Sequence, residues 1–247
     1  MDETALWVDA LQHEDVQKRW EAVSALAAAA DAGAELAAAV SALARSLTDE
    51  NPHVRGKAAY TLVGIAEHGG DIAPALPALA SALADESEVV RKETVWALYC
   101  LAARGHDLGP AAAALAGVVA QDPSRSVRAN GAIGLALHYL NVGQRDEAAA
   151  LLTHADGNVV FGAAWAHTDF YRRVGERDGF GALVRRVRPG LLDIGLRDGI
   201  AGSIVWAQKQ GLDVSFDLAV VRELLAQAGS DPVAQAPLYG LLMRLPG

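Results

Sequence analysis

Residues 51–66, NPHVRGKAAYTLVGIA, decide the fold. The same pattern returns at residues 87–102, SEVVRKETVWALYCLA, and at residues 123–140, PSRSVRANGAIGLALHYL. Each copy opens on a polar turn and then carries Val-Arg. A small residue stands four positions after the Val and a Leu eight after it, as in Val54, Ala58 and Leu62. Offsets of 0, 4 and 8 lie on one face of an α-helix, so each copy predicts a helix with a single apolar stripe. Extending the anchor outward gives Lys18, Val54, Val90, Val127, Val160, Leu196 and Val233, at spacings of 36, 36, 37, 33, 36 and 37. The positions eight further on are Leu26, Leu62, Leu98, Leu135, Thr168, Ile204 and Leu241, so only Thr168 breaks the apolar register.

Between the anchored helices lie others. They read ELAAAVSALARSL from Glu35, PALPALASALA from Pro74, PAAAALAGVVA from Pro110 and DLAVVRELLAQA from Asp217. Each period is thus a pair of helices. A pair this short cannot bury its apolar face alone, but successive pairs laid side by side share one continuous core. The composition agrees. Ala and Leu favour helix, aromatics are 6% of the chain, and no hairpin dipeptide or alternating β-branched run is present. The lone cysteine, Cys100, cannot form an internal disulfide, and the acidic start MDETALWVDA lacks the marks of a secretory leader. No clean apolar run of about 20 residues occurs. These features point to a cytoplasmic protein without a membrane span. The net charge of −9 argues against a nucleic-acid partner.

An aspartate precedes the arginine by six residues in the clear copies: Asp49 and Arg55, Asp85 and Arg91, Asp122 and Arg128. The spacing suits a structural ladder in which the aspartate caps the second helix. The arginine then reaches a carboxylate of its own or the adjacent repeat. This combination of turn Asp, Val-Arg, small residue and Leu resembles the HEAT-repeat family, in particular the bacterial variety shared with phycobilisome lyases. The resemblance implies an all-α, right-handed α-solenoid of about seven HEAT-like two-helix repeats. Residues 1–247 would form a single repeat domain, with clear repeats over 14–140 and degenerate ones over 141–247.

In that family the second helices line the concave face. Aromatic residues at the outward offsets are Trp20, Tyr60, Trp96, Phe170, Trp206 and Tyr239, accompanied by Lys57, Lys92, Asn130, His138 and His167. Clustered aromatics on such a face mark a binding surface, whereas misregistered ones would belong to the core. Trp165 falls on the core side of the register. The arginine-rich stretch 172–188 reads as a solvated face rather than an anion site.

Catalytic signatures are lacking. There is no HExxH, paired-Cys zinc spacing, GxSxG, Walker loop or dinucleotide fingerprint, and only His13-Glu14 has the His-Glu order of the di-iron hydroxylases built on HEAT repeats. Trp165 and Asp169 share one helix face, as a HEAT-like DNA glycosylase would require, but the acidic balance opposes duplex binding. The sequence therefore leads to a non-catalytic scaffold or adaptor that holds a protein or peptide in its concave face, with no cofactor. The alternative is a small-molecule or tetrapyrrole-handling protein of lyase type, in which His138, His167 and Asp169 would converge on a closed cavity.

Overall fold

The computed structural model describes residues 3–187 and 194–228, together with residues 235, 236, 238, 241 and 243. Among the described residues there are 13 α-helices and no strand. They divide into two compact units, Met1–Gly134 and Leu135–Gly247.

In the first unit the helices are α1 (Glu3–Ala10), α2 (Val16–Asp31), α3 (Val40–Ser46), α4 (Pro52–Glu67), α5 (Leu76–Ala82), α6 (Glu88–Ala103) and α7 (Gly109–Gln121). The helix α8 (Arg125–Asn141) carries the division between the units. A single 3-10 turn precedes α3, at Ala37–Ala39, and another precedes α5, at Ala73–Ala75. The second helices α2, α4 and α6 pack against one another in order, and the first helices α3, α5 and α7 do the same. Val54, Leu62, Val90, Leu98 and Val127 are fully buried, so the anchored stripe is the core. In the second unit come α9 (Arg145–Leu151), α10 (Gly157–Val174), α11 (Arg177–Arg185), α12 (Ile194–Lys209) and α13 (Ser215–Gln227). Here α10 packs on both α11 and α12, and α11 on α13. The last anchor, Val233, lies outside the described residues.

The starts of the second helices follow from their turn residues. Asn51 caps α4 by accepting the His53 N–H at 2.8 Å, with Pro52 at the first position where no donor is needed. Asp15 and Asp156 cap α2 and α10 through the N–H groups of Gln17 and Asn158. The ends share one device. Gly33, Gly69, Gly105, Gly143, Gly175 and Gly211 all have φ between +69° and +96°. The residue after each donates back to the carbonyl five residues before that glycine's neighbour, closing the last turn: Gly70 to Ile65, His106 to Leu101, Gln144 to Tyr139, Glu176 to Tyr171 and Leu212 to Ala207. A side chain is strained at such φ, so glycine is required here. Because the device continues through Gly211, it marks the repeat where the Val-Arg signal has faded.

Candidate functional site

In the first unit the outward faces of α2, α4 and α6 bring together Trp20, Lys57, Tyr60 and Trp96. Trp20 and Trp96 are half-buried, and Tyr60 is exposed at 37%. The Lys57 ammonium sits 5.9 Å from the Trp20 ring centre and 4.9 Å from that of Tyr60, in cation–π range of both. Tyr60 donates its hydroxyl to Asp31 at 3.0 Å, and Trp96 donates its Nε1–H to Glu67 at 3.0 Å. Both bonds join residues 29 apart, so the same rung recurs one repeat on: an aromatic side chain held by the carboxylate at the end of the preceding second helix. The bond to Asp31, with some burial, raises the Tyr60 hydroxyl above its ordinary range. Trp96 also packs on Tyr99, ring centres 4.8 Å apart.

Beside Trp20, Lys57 and Tyr60 runs a groove of about 320 Å³, lined also by His53, Val89 and Glu93. Gly56 forms part of its floor, where a Cβ would touch Val89. Burial pushes the Glu93 carboxyl above the ordinary carboxylate range, and Lys92, exposed at 3.9 Å, partly offsets that. Asn130 stands half-buried on α8.

Behind this surface lies the arginine–aspartate chain. Arg55 Nε donates to Asp85 at 2.6 Å and its Nη2 to the same carboxylate at 3.0 Å, a bidentate pair. Its Nη1 donates to the carbonyls of Asp49 and Glu50 in its own turn. Arg19 pairs likewise with Asp49, and Arg91 with Asp122. Arg128 donates to the Asp122 carbonyl at 2.7 Å. Arg19, Arg55 and Arg91 thus each join their own turn to the carboxylate of the next. Asp49, Asp85 and Asp122 also accept an N–H two residues on, from Asn51, Ser87 and Ser124. Burial alone would raise the Asp85 carboxyl, but the Arg55 guanidinium and the Ser87 N–H hold it below its ordinary range. The guanidinium groups are about one-tenth exposed.

The second unit departs from the expected binding face. Phe170, His138 and His167 are buried, at 8%, 5% and 2% exposure. His167 and His138 stand seven and eleven positions past their anchors. At 3.6 residues per turn, both offsets return to within about 20° of the anchor, hence to the core side. Phe170 is covered by the Arg145 guanidinium, 5.5 Å above its ring, which also pairs with Glu176. His167 Nδ1 lies 2.7 Å from the Ala163 carbonyl, and burial pulls its pKa down to about 4. Trp206 is half-buried and packs with Trp165, ring centres 6.1 Å apart; Trp165 is half-buried too, and also meets Phe161. Tyr239 lies outside the described residues.

The arginine run is also not a uniformly solvated face. Arg172 is buried among Asp169 at 3.5 Å, Asp217 at 3.3 Å and the Ser203 hydroxyl at 2.9 Å, because α10, α12 and α13 all converge on it. Arg173 pairs with Asp169 and Arg177 with Glu223, while Arg185 and Arg186 are exposed; Arg188 lies outside the described residues. Burial pushes the Asp217 carboxyl up to about 6, Arg172 notwithstanding. Asp169, the carboxylate a glycosylase reading would use, is thus committed to two arginines.

Burial pushes the Cys100 thiol up to about 12, which leaves it un-ionised at neutral pH and unsuited to nucleophilic attack. Among the described residues no three His, Cys, Asp or Glu side chains are arranged to hold a metal ion, and no helix is long and apolar enough to cross a membrane.

Residues 4–99 match the family described as HEAT repeats. No curated protein matches the chain. Among solved structures, a designed armadillo repeat protein in complex with the peptide (KR)4 superposes with a TM-score of 0.56 at 20% identity, over 99% of this chain and 100% of that one. Importin beta gives 0.60 at 17% identity, over 99% of this chain and 35% of that one. The CpcE–CpcF complex of phycocyanin lyase from Nostoc gives 0.51 at 23% identity, over 98% and 94%. At these identities the likenesses show the fold: an all-α, right-handed solenoid of two-helix repeats.

Proposed function

We propose that this chain is a non-catalytic, cytoplasmic scaffold, one repeat array from end to end, that holds an extended protein segment on the second-helix face of its first unit. One observation carries the reading. Tyr60 and Trp96 are accessible to a partner yet already fixed by hydrogen bonds to Asp31 and Glu67. Aromatic anchors ordered in advance lose little entropy on binding, and such anchors dominate interface energetics. The designed armadillo protein, itself bound to a peptide, supports a peptide as the class of partner for this fold.

The tetrapyrrole alternative draws on the likeness to the phycocyanin lyase subunits alone. Burial of His138 and His167, with His167 bonded inside its own helix, weighs against a shared site for them.

The test is selection of binding peptides from a displayed library with the intact chain, followed by titration against Tyr60→Ala/Trp96→Ala. The double variant should bind the selected peptides about 30-fold more weakly, as loss of hot-spot anchors worth about 2 kcal/mol implies. Its far-ultraviolet circular dichroism should be unchanged. Peptides that bind the variant as tightly as the parent would refute the assignment.

A further inference from the structure

Asp217 differs from the aspartates of the ladder. Asp49, Asp85 and Asp122 each take a forked guanidinium and a backbone N–H. Asp217 is fully buried in the first turn of α13, and among the described residues no side chain donates a hydrogen bond to either of its oxygens. The Arg172 Nε lies 3.3 Å away but outside hydrogen-bonding geometry, and that nitrogen too is left without an acceptor. The same guanidinium is drawn elsewhere: its Nη2 donates to Ser203 of α12 at 2.9 Å and lies 3.5 Å from Asp169 of its own helix. Two carboxylates thus compete for one buried arginine. Arg173, on the solvent side of α10, pairs with Asp169. The remaining charges beside α13 are exposed: Asp213 in the turn before it, Arg222 and Glu223 on it, and Arg177 and Arg185 on α11.

A buried carboxylate without a donor is costly when ionised. Protonated, it carries no charge to bury, and Arg172 keeps Asp169 and Ser203 as partners. Proton binding and the docking of α13 are therefore linked. We propose that α13 is a proton-controlled latch, held against α10 and α11 while Asp217 carries its proton and opening more readily once the proton is lost. The sign follows from burial, which raises this carboxyl from 3.8 to about 6. Its contribution to docking is complete below pH 3.8 and is lost as pH rises through about 6. Besides Asp217, α13 buries Val220, Val221 and Leu224, and its Phe216 meets Phe180 of α11 with ring centres 6.0 Å apart. Opening uncovers the apolar side of α11 at Phe180, a surface withheld in acid and offered as pH rises.

Hydrogen–deuterium exchange of the full chain tests this, read by mass spectrometry at pH 5 and pH 7.5 and corrected for the intrinsic effect of pH on exchange. Protection of α13 should fall about tenfold between the two, the change expected of a carboxyl near 6 when docked and near 3.8 when free. Protection of α4 should stay constant. His167, lowered to about 4, does not titrate in this window. Asp217→Asn, neutral at every pH, should hold α13 at the same protection in both conditions. Equal protection of α13 in the parent at both pH values would overturn the latch. So would a fall that α4 shares, or a pH dependence that persists in Asp217→Asn. The first two outcomes are read on the parent chain, so they decide the matter even where the variant does not fold.

Discussion

Arg55 holds two turns with one guanidinium: Nε and Nη2 grip Asp85, while Nη1 closes on the carbonyls of its own turn. Removing it as Arg55→Ala strands a largely buried carboxylate, and chemical denaturation should show a loss of roughly 3 kcal/mol. Arg55→Lys keeps the charge but not the fork, so it should fall between parent and alanine variant. The double variant Arg55→Ala/Asp85→Ala should recover part of the loss, because no lone charge then remains buried. The residues of this chain were legible from the sequence as a spacing of six between Asp and Arg. What the spacing could not say is which of two carboxylates each arginine takes, because both lie within reach of a long side chain. Packing decides it, by setting the next turn beside the guanidinium. His138 and His167 lie beside the groove positions along the chain, but their angle about the helix axis turns them inward.

At the scale of the element, α12 and α10 meet through glycine. A Cβ at Gly199 would run into the Phe161 carbonyl and the Ala164 side chain, and one at Gly195 into the Gly157 carbonyl. Intrinsic propensity predicts that Gly199→Ala stabilises a helix by about 1 kcal/mol. The contact predicts the reverse, a loss of about 1–3 kcal/mol from overpacking, and thermal unfolding reads the sign directly. Gly117 is the control. It lies inside α7 with nothing near its Cβ position, so Gly117→Ala should raise stability by up to about 1 kcal/mol. The sequence does not separate these two positions, because both read as glycine in a helical run. The left-handed glycines were more legible in principle. Their period runs through Gly143, Gly175 and Gly211, past the point where Val-Arg gives way to Phe161.

For the molecule as a whole, two buried groups make opposing contributions to acid stability. His167 has its ordinary value near 6.5 lowered to about 4, chiefly by burial. Its contribution is present above pH 6.5 and is lost as pH falls through about 4. Asp217 has its ordinary value of 3.8 raised to about 6, again by burial. Its contribution is present below pH 3.8 and is lost as pH rises through about 6. Each is on the order of 2–3 kcal/mol, and between pH 4 and 6 they nearly cancel. Thermal melts should show the compensation when either is removed. Asp217→Asn should lower the melting temperature at pH 4.5 relative to pH 7, and His167→Gln should do the opposite. Neither pKa shift could be read from sequence, since each depends on what α10 and α13 bury. Architecture was far more legible than surface. A period survives many substitutions, whereas the exposure of a single side chain such as Phe170 depends on the neighbours that pack over it, Arg145 among them.

The linkage of Arg19, Arg55 and Arg91 to the following turn also gives the first unit a direction, like coupled carriages with a hook at one end and an eye at the other. Cutting out residues 50–85 would leave Asp49 spliced to Glu86. Arg19 would keep the partner it has now, and Arg91 would close on the Asp49 carbonyl as Arg55 does. No charge would be orphaned by the excision, nor by its inverse, a duplication. The array can therefore lengthen or shorten by whole carriages, and a gene carrying it can change its reach in a single recombination without first having to repair its seams.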